Sequence, residues 1–120
     1  MNQVSERIIG CAFLVMNRLG IGFLEKVYEN PLAHELCTAG LRVTQQHAIS
    51  VTYNGVNVGD YAADLLVEGK VVIELKAVKA LDSVHTAQCI NYLKASGLRL
   101  CMLLNFGRPR LEIQRIANGL

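Results

Sequence analysis

Glu74, Leu75 and Lys76 close an apolar run that begins at Val71. Alternate side chains of a strand share a face, so an acid and a base stand together there while Leu75 turns with Ile73 and Val71 to the other side. Ten residues earlier, Asp64 interrupts a second apolar run between Ala63 and Leu65, and a charge inside an apolar strand needs a partner. Two carboxylates on neighbouring strands form a hard-oxygen site suited to magnesium or manganese, which take one or two carboxylates together with waters and a phosphate oxygen. Such an ion lowers the pKa of a bound water, and Lys76 can orient that water or offset the charge that grows on phosphorus. These are the parts of phosphodiester hydrolysis. The plainer reading of Glu74 and Lys76 is an exposed ion pair on an edge strand, contributing at most about 1 kcal/mol. Gln88 and Tyr92 weigh against it: they follow directly and are four apart, which puts both on one helix face.

The elements that must carry these residues are legible from periodicity. Between Ser5 and Leu19 the apolar residues Ile8, Ala12, Val15 and Leu19 recur at helical steps, and after Gly20 and Gly22 the period resumes through Leu24, Tyr28, Leu32 and Leu36 to Gly40. Pro31 inside that second helix removes one backbone bond and predicts a kink near Val27. From Val43 the period becomes two. Val43–Tyr53, a turn at Asn54-Gly55, Val58–Val67 and Val71–Lys76 read as an antiparallel meander. A helix over Ser83–Ser96 follows, then a buried strand Leu98–Asn105 and an edge strand around Ile113 and Ile116. The order is ααβββαββ in one domain spanning residues 1–120. A helix crossover joins parallel strands, so Leu98–Asn105 should lie parallel to Val71–Lys76 in a mixed sheet.

Register decides whether the two acids can meet. A two-residue turn at Glu68-Gly69 pairs Val67 with Lys70 and sets Asp64 opposite Ile73, which sends Asp64 and Glu74 to opposite faces. A three-residue loop of Glu68, Gly69 and Lys70, or one bulge, brings the acids opposite each other. A shared metal site therefore predicts the longer loop or a bulge.

Composition sets the remaining bounds. Hydrophobic residues make up 52% of 120, enough for one continuous core and too apolar for disorder. Net charge is only +2, but residues 1–69 carry four basic against seven acidic side chains and residues 70–120 eight against three. The basic second half could track a phosphate backbone, or be a solvated surface. Cys11, Cys37, Cys89 and Cys101 stand far apart in apolar runs with no C-x-x-C pair; they read as small buried hydrophobes in a reducing compartment, not as a zinc site. The apolar stretch Ile8 to Met16 is too short for a membrane span, which needs about 20 residues, and Glu6 and Asn17-Arg18 flank it where a signal peptide would differ. The expectation is a cytoplasmic protein.

The series Asp64, Glu74-Leu75-Lys76 and Gln88-x-x-x-Tyr92 resembles the D…E-x-K…Q-x-x-x-Y pattern of PD-(D/E)XK nucleases of the RecB-like branch. Gly22-Phe23-Leu24-Glu25-Lys26-Val27-Tyr28 further resembles the signature of the G-x-x-E-x-x-Y family within that superfamily. Tyr61 to Val67, Ala87 to Lys94 and Leu104-Asn105-Phe106-Gly107 match it too. Ala63 stands where the motif's proline would be. The resemblance implies a metal-dependent nuclease with a PD-(D/E)XK-like α/β core, in which Asp64 and Glu74 bind Mg2+ or Mn2+, Lys76 assists the water, and Gln88 and Tyr92 orient lysine or phosphate. It nominates Glu25, an acid on the first core helix, as an additional metal or water ligand, the alternative being a helix-capping acid. It further implies a nucleic-acid substrate, DNA before RNA, and a homodimer. The competing class is a module that keeps the fold and grips nucleic acid or protein without turnover. His85 reads as a capping residue and Asn105 as an amide that ties backbone at a turn.

Overall fold

The computed structural model describes residues 2–118. Helix α1 (Asn2–Leu19) buries the stripe Ile8, Ala12, Val15 and Met16 and stops at Gly20, whose φ of 71° takes the chain out of the helix. Helix α2 (Glu25–Thr38) buries Tyr28, Leu32 and Leu36 and runs through Pro31 without interruption. Five strands follow in the expected order: β1 (Val43–Tyr53), β2 (Val56–Val67), β3 (Val71–Lys76), β4 (Leu100–Asn105) and β5 (Glu112–Ala117), with helix α3 (Ser83–Ser96) between β3 and β4.

The strands stand in chain order across one sheet. All neighbours are antiparallel except β3 and β4, which α3 joins as a parallel pair with Glu74 opposite Leu103. Helices α1 and α2 cover one face over Leu65, Val67, Val71, Ile73, Leu75, Met102 and Leu104. Helix α3 covers the other over Ala63, Val72, Cys101, Leu103 and Ile116. The result is a helix–sheet–helix sandwich. The central strands are buried on both faces, which is why they read as unbroken apolar runs. No helix among the described residues is long and apolar enough to cross a membrane. Of the four cysteines, Cys89 and Cys101 are buried as expected, but Cys37 is exposed. It lies past the buried stripe of α2, in the helix's last turn.

The β2–β3 connection is the three-residue loop that a shared acid site requires. Val67 pairs with Val71, and Glu68 and Gly69 both have positive φ, 55° and 63°. Lys70 N–H donates to Val67 O at 3.0 Å, and Glu68 N–H reaches back to Arg42 O at 2.8 Å. A second irregularity lies inside the sheet. The β1–β2 ladder pairs Gln45 with Leu65 and His47 with Ala63 but omits Gln46 and Asp64, and Gln46 has a φ of 53°. Both strands turn over there: Leu65 and Val67 pack under α1 and α2, whereas Ala63, two residues away, packs under α3. Strict alternation would keep all three on one side. Asp64 sits on that fault.

Candidate active site

The last regular pair between β2 and β3 is Leu65 with Ile73. One step further, side chains take over the ladder. Asp64 N–H donates to Glu74 Oε1 at 3.1 Å, and Leu75 N–H donates to Asp64 Oδ2 at 2.8 Å. The strands fork beyond this point, β2 staying with β1 and β3 with β4. The two carboxylates fill the crotch of the fork, opposite each other as the loop count requires.

Both acids are held under conditions that disfavour their charge. Glu74 is only 4% exposed; its pKa rises from 4.5 to about 8, chiefly through burial and then through the facing Asp64 carboxylate, with the Asp64 N–H and Lys76 opposing. Asp64 is raised as well, by burial first, while the Leu75 N–H pulls the other way. Glu29 raises both. Two desolvated carboxylates side by side repel, and a cation between them removes the conflict.

Glu29, on α2, is an acid that the sequence reading missed. It is buried, 2% exposed, and Gln46 Nε2 links it at 2.9 Å to Asp64 Oδ1 at 3.4 Å. Gln45 Nε2 and Lys26 Nζ also donate to Glu29, at 2.8 and 3.0 Å. Glu25, the acid expected from α2, instead stands exposed in the helix's first turn. It begins α2, one turn before Glu29. Tyr28, next to Glu29, serves the fold: its hydroxyl donates to Gly20 O, accepts from Phe23 N–H, and its ring stacks on Phe106 at 4.6 Å.

On the α3 side the predicted basic and polar residues form a chain. Lys76 Nζ donates to Gln88 Oε1 at 3.2 Å, and Gln88 Nε2 donates to the Tyr92 hydroxyl at 3.2 Å. Burial and the nearby Glu74 and Asp64 carboxylates push Tyr92 up to about 12, so its hydroxyl stays protonated. Helix α3 is fixed at its start by a reciprocal cap, in which Asp82 Oδ1 accepts from Val84 N–H and His85 Nδ1 accepts from Asp82 N–H. Buried Asn105 ties the exit of β3. Its Oδ1 accepts from Val78 and Gly107 N–H, while its Nδ2 donates to Val78 O and Glu112 Oε1. Gly107 is required there, since a Cβ would lie 2.3 Å from Val78 N.

The donor set suits a hard divalent cation. Among the described residues, no three His, Cys, Asp or Glu side chains gather closely enough to hold an ion by themselves. Magnesium does not need that, being bound through one or two carboxylates with water and phosphate oxygens completing the shell. Glu74 Oε2 accepts no hydrogen bond from the described residues, which leaves it open to such an ion.

A sequence profile of the PD-(D/E)XK nuclease superfamily matches residues 2–116. The chain belongs to that superfamily. Two solved structures share the fold. An alkaline exonuclease (LHK-Exo) from Laribacter hongkongensis superposes with a TM-score of 0.56 at 18% identity, over 97% of this chain and 68% of that one. The protein described as "Crystal structure of SSO0001" superposes with a TM-score of 0.58 at 17% identity over 79% of this chain, which covers about half, 50%, of that protein's length. At these identities the likeness is one of fold. No curated protein sequence matches the chain.

Proposed function

We propose that this PD-(D/E)XK domain, taken as a single unit over residues 1–120, is a metal-dependent nuclease that hydrolyses phosphodiester bonds of nucleic acid. The observation that carries the reading is the fork between β2 and β3. There Asp64 and Glu74 face each other in a desolvated crotch with Lys76 two residues along the same strand. Magnesium or manganese bound by Asp64 and Glu74 would supply Lewis acidity toward a phosphate oxygen and the attacking water.

The chain's own residues do the rest. Lys76 carries positive charge to the place where phosphoryl charge grows, and its hydrogen bond to Gln88 restricts the directions in which the ammonium can point. Tyr92 holds Gln88 in turn. Gln46, anchored on Glu29, steadies Asp64 from the opposite side. We further infer membership of the G-x-x-E-x-x-Y group and its RecB-like branch, DNA before RNA as substrate, a homodimer, and cytoplasmic residence. The identification with that group rests on the motif residues Gly22, Glu25, Tyr28, Gln88 and Tyr92.

The deciding experiment incubates the purified protein with labelled single- and double-stranded DNA and RNA, with magnesium, manganese or EDTA. Cation-dependent cleavage that disappears in Glu74→Ala and Lys76→Ala is expected. Nucleic-acid binding that ignores both cation and Glu74→Ala, with no substrate cut, would replace the nuclease by a binding module on the same fold.

A further inference from the structure

Beside the fork, a groove of about 820 Å3 runs between α3 and the hairpin of β1 and β2. Its helical wall is one stripe of α3: Val84, Gln88, Asn91 and Ala95, with Lys94 beside them. Its other wall is Ser50, Val51, Thr52 and Tyr61 of the hairpin. Lys76 lines the groove with Gln88 and Tyr92, and it follows Glu74 by two residues on β3, so the groove ends beside the acid pair.

Three features of this groove suit a single nucleic-acid strand. No Asp or Glu lines it, whereas Lys76, Lys94 and His85 do. Lys94 is exposed, and it makes no ion pair with a described residue. Tyr61 is 51% exposed although its ring rests 5.8 Å from that of Tyr92, tilted by 58°. A large aromatic ring left half in solvent and braced by another ring offers a face on which an unpaired base can stack, and Lys94 lines the same groove. A space in the range of small-molecule pockets, roughly 300–1,000 Å3, has room for a few unpaired nucleotides.

We propose that this groove binds single-stranded nucleic acid, with a base on Tyr61 and a phosphate at Lys94, and feeds the strand toward Lys76. The proposal builds on the nuclease reading but is measured separately. Fluorescence anisotropy in EDTA, where cleavage is suppressed, compares labelled oligothymidine and oligouridine with a duplex of equal length. At least one single strand should bind about tenfold tighter than the duplex. Tyr61→Ala should weaken that binding by about tenfold and Tyr61→Phe should not, because stacking needs the ring and not the hydroxyl. Lys94→Ala should reduce the log–log salt slope by about 0.7, the value of one phosphate contact on a single strand. A duplex bound as well as either single strand, or unchanged binding in both Tyr61→Ala and Lys94→Ala, would overturn the groove. Binding through Tyr61 with no cleavage of any substrate would leave the groove standing and remove the nuclease. Cation-dependent cleavage untouched by Tyr61→Ala and Lys94→Ala would do the reverse.

Discussion

Asp64 and Glu74 are joined through backbone: the amide of Asp64 donates to Glu74 Oε1 at 3.1 Å, while Asp64 Oδ2 takes the amide of the residue after Glu74 at 2.8 Å. Each acid therefore closes the sheet for the other's strand and cannot swing away to relieve their repulsion. The electrostatic strain has to appear instead as proton or cation affinity.

That strain gives the cation-free protein a definite pH dependence. The folded-state pKa of Glu74 lies above its ordinary 4.5, at about 8. A raised pKa contributes stability in full below the unfolded value and loses it as pH rises through the folded value. Stability should thus fall between about pH 4.5 and 8, by up to about 4 kcal/mol at pH 8 from this group. Glu74→Gln should melt higher than wild type at pH 8 in EDTA and nearly level with it at pH 4.5. Denaturant titrations across that range check the sign, and a wild type that gains stability toward pH 8 relative to the variant contradicts it.

Cation binding should reverse the trend. Magnesium or manganese meets fewer competing protons as Glu74 and Asp64 ionise, so the rise in melting temperature on adding the ion should grow with pH toward 8. At a hundred times the dissociation constant the gain is about 2.7 kcal/mol. Asp64→Ala and Glu74→Ala should each abolish it. A cation-induced gain of equal size in either variant would place the ion elsewhere.

The chain from Lys76 through Gln88 to Tyr92 predicts a graded loss. Lys76→Ala removes the charge and should lower kcat by about 100–1,000-fold, the range seen when one transition-state donor is lost. Gln88→Ala leaves the charge but frees the ammonium, so a smaller loss of about tenfold should fall on kcat with KM little changed. Tyr92→Phe touches only the far end of the chain and should cost least. Steady-state kinetics on one substrate orders the three, and a Tyr92→Phe defect larger than that of Lys76→Ala breaks the assigned direction.

The sequence disclosed most of this site because strands and helices repeat simply. Glu74 with Lys76 followed from two-residue alternation and Gln88 with Tyr92 from the helical step, whereas the meeting of Asp64 with Glu74 followed from what a shared metal needs, since the loop sequence also fits a two-residue turn that parts them. What alternation could not disclose is the fault at Gln46 and Asp64. There both strands turn over without changing the pairing count, so no register sum betrays it. Glu29 escaped for a different reason. Glu25 and Glu29 stand one turn apart on the same side of α2, and only the packing of that helix decides which reaches the sheet. The signal was there in part: Glu29 falls on the stripe that continues through Leu32 and Leu36, both fully buried, where a carboxylate is anomalous.

Separate substitution of the two α2 acids is the sharpest test of which one serves the site. Glu29→Ala removes the acceptor for Gln45, Gln46 and Lys26 and leaves Gln46 free to release Asp64. It should cost about 1–3 kcal/mol of stability and weaken cation binding. Glu25→Ala, at an exposed position, should stay within about 0.5 kcal/mol of wild type and leave cation affinity unchanged. Glu29→Gln separates two ways in which Glu29 could act. It keeps the shape but removes a negative charge that raises Asp64 and Glu74. If Glu29 touches the ion directly, cation affinity falls; if it only braces Gln46, affinity holds or rises as the neighbouring carboxylates ionise more easily. Isothermal titration with manganese distinguishes these outcomes, and a loss of binding in Glu25→Ala with none in Glu29→Ala would return the role to Glu25.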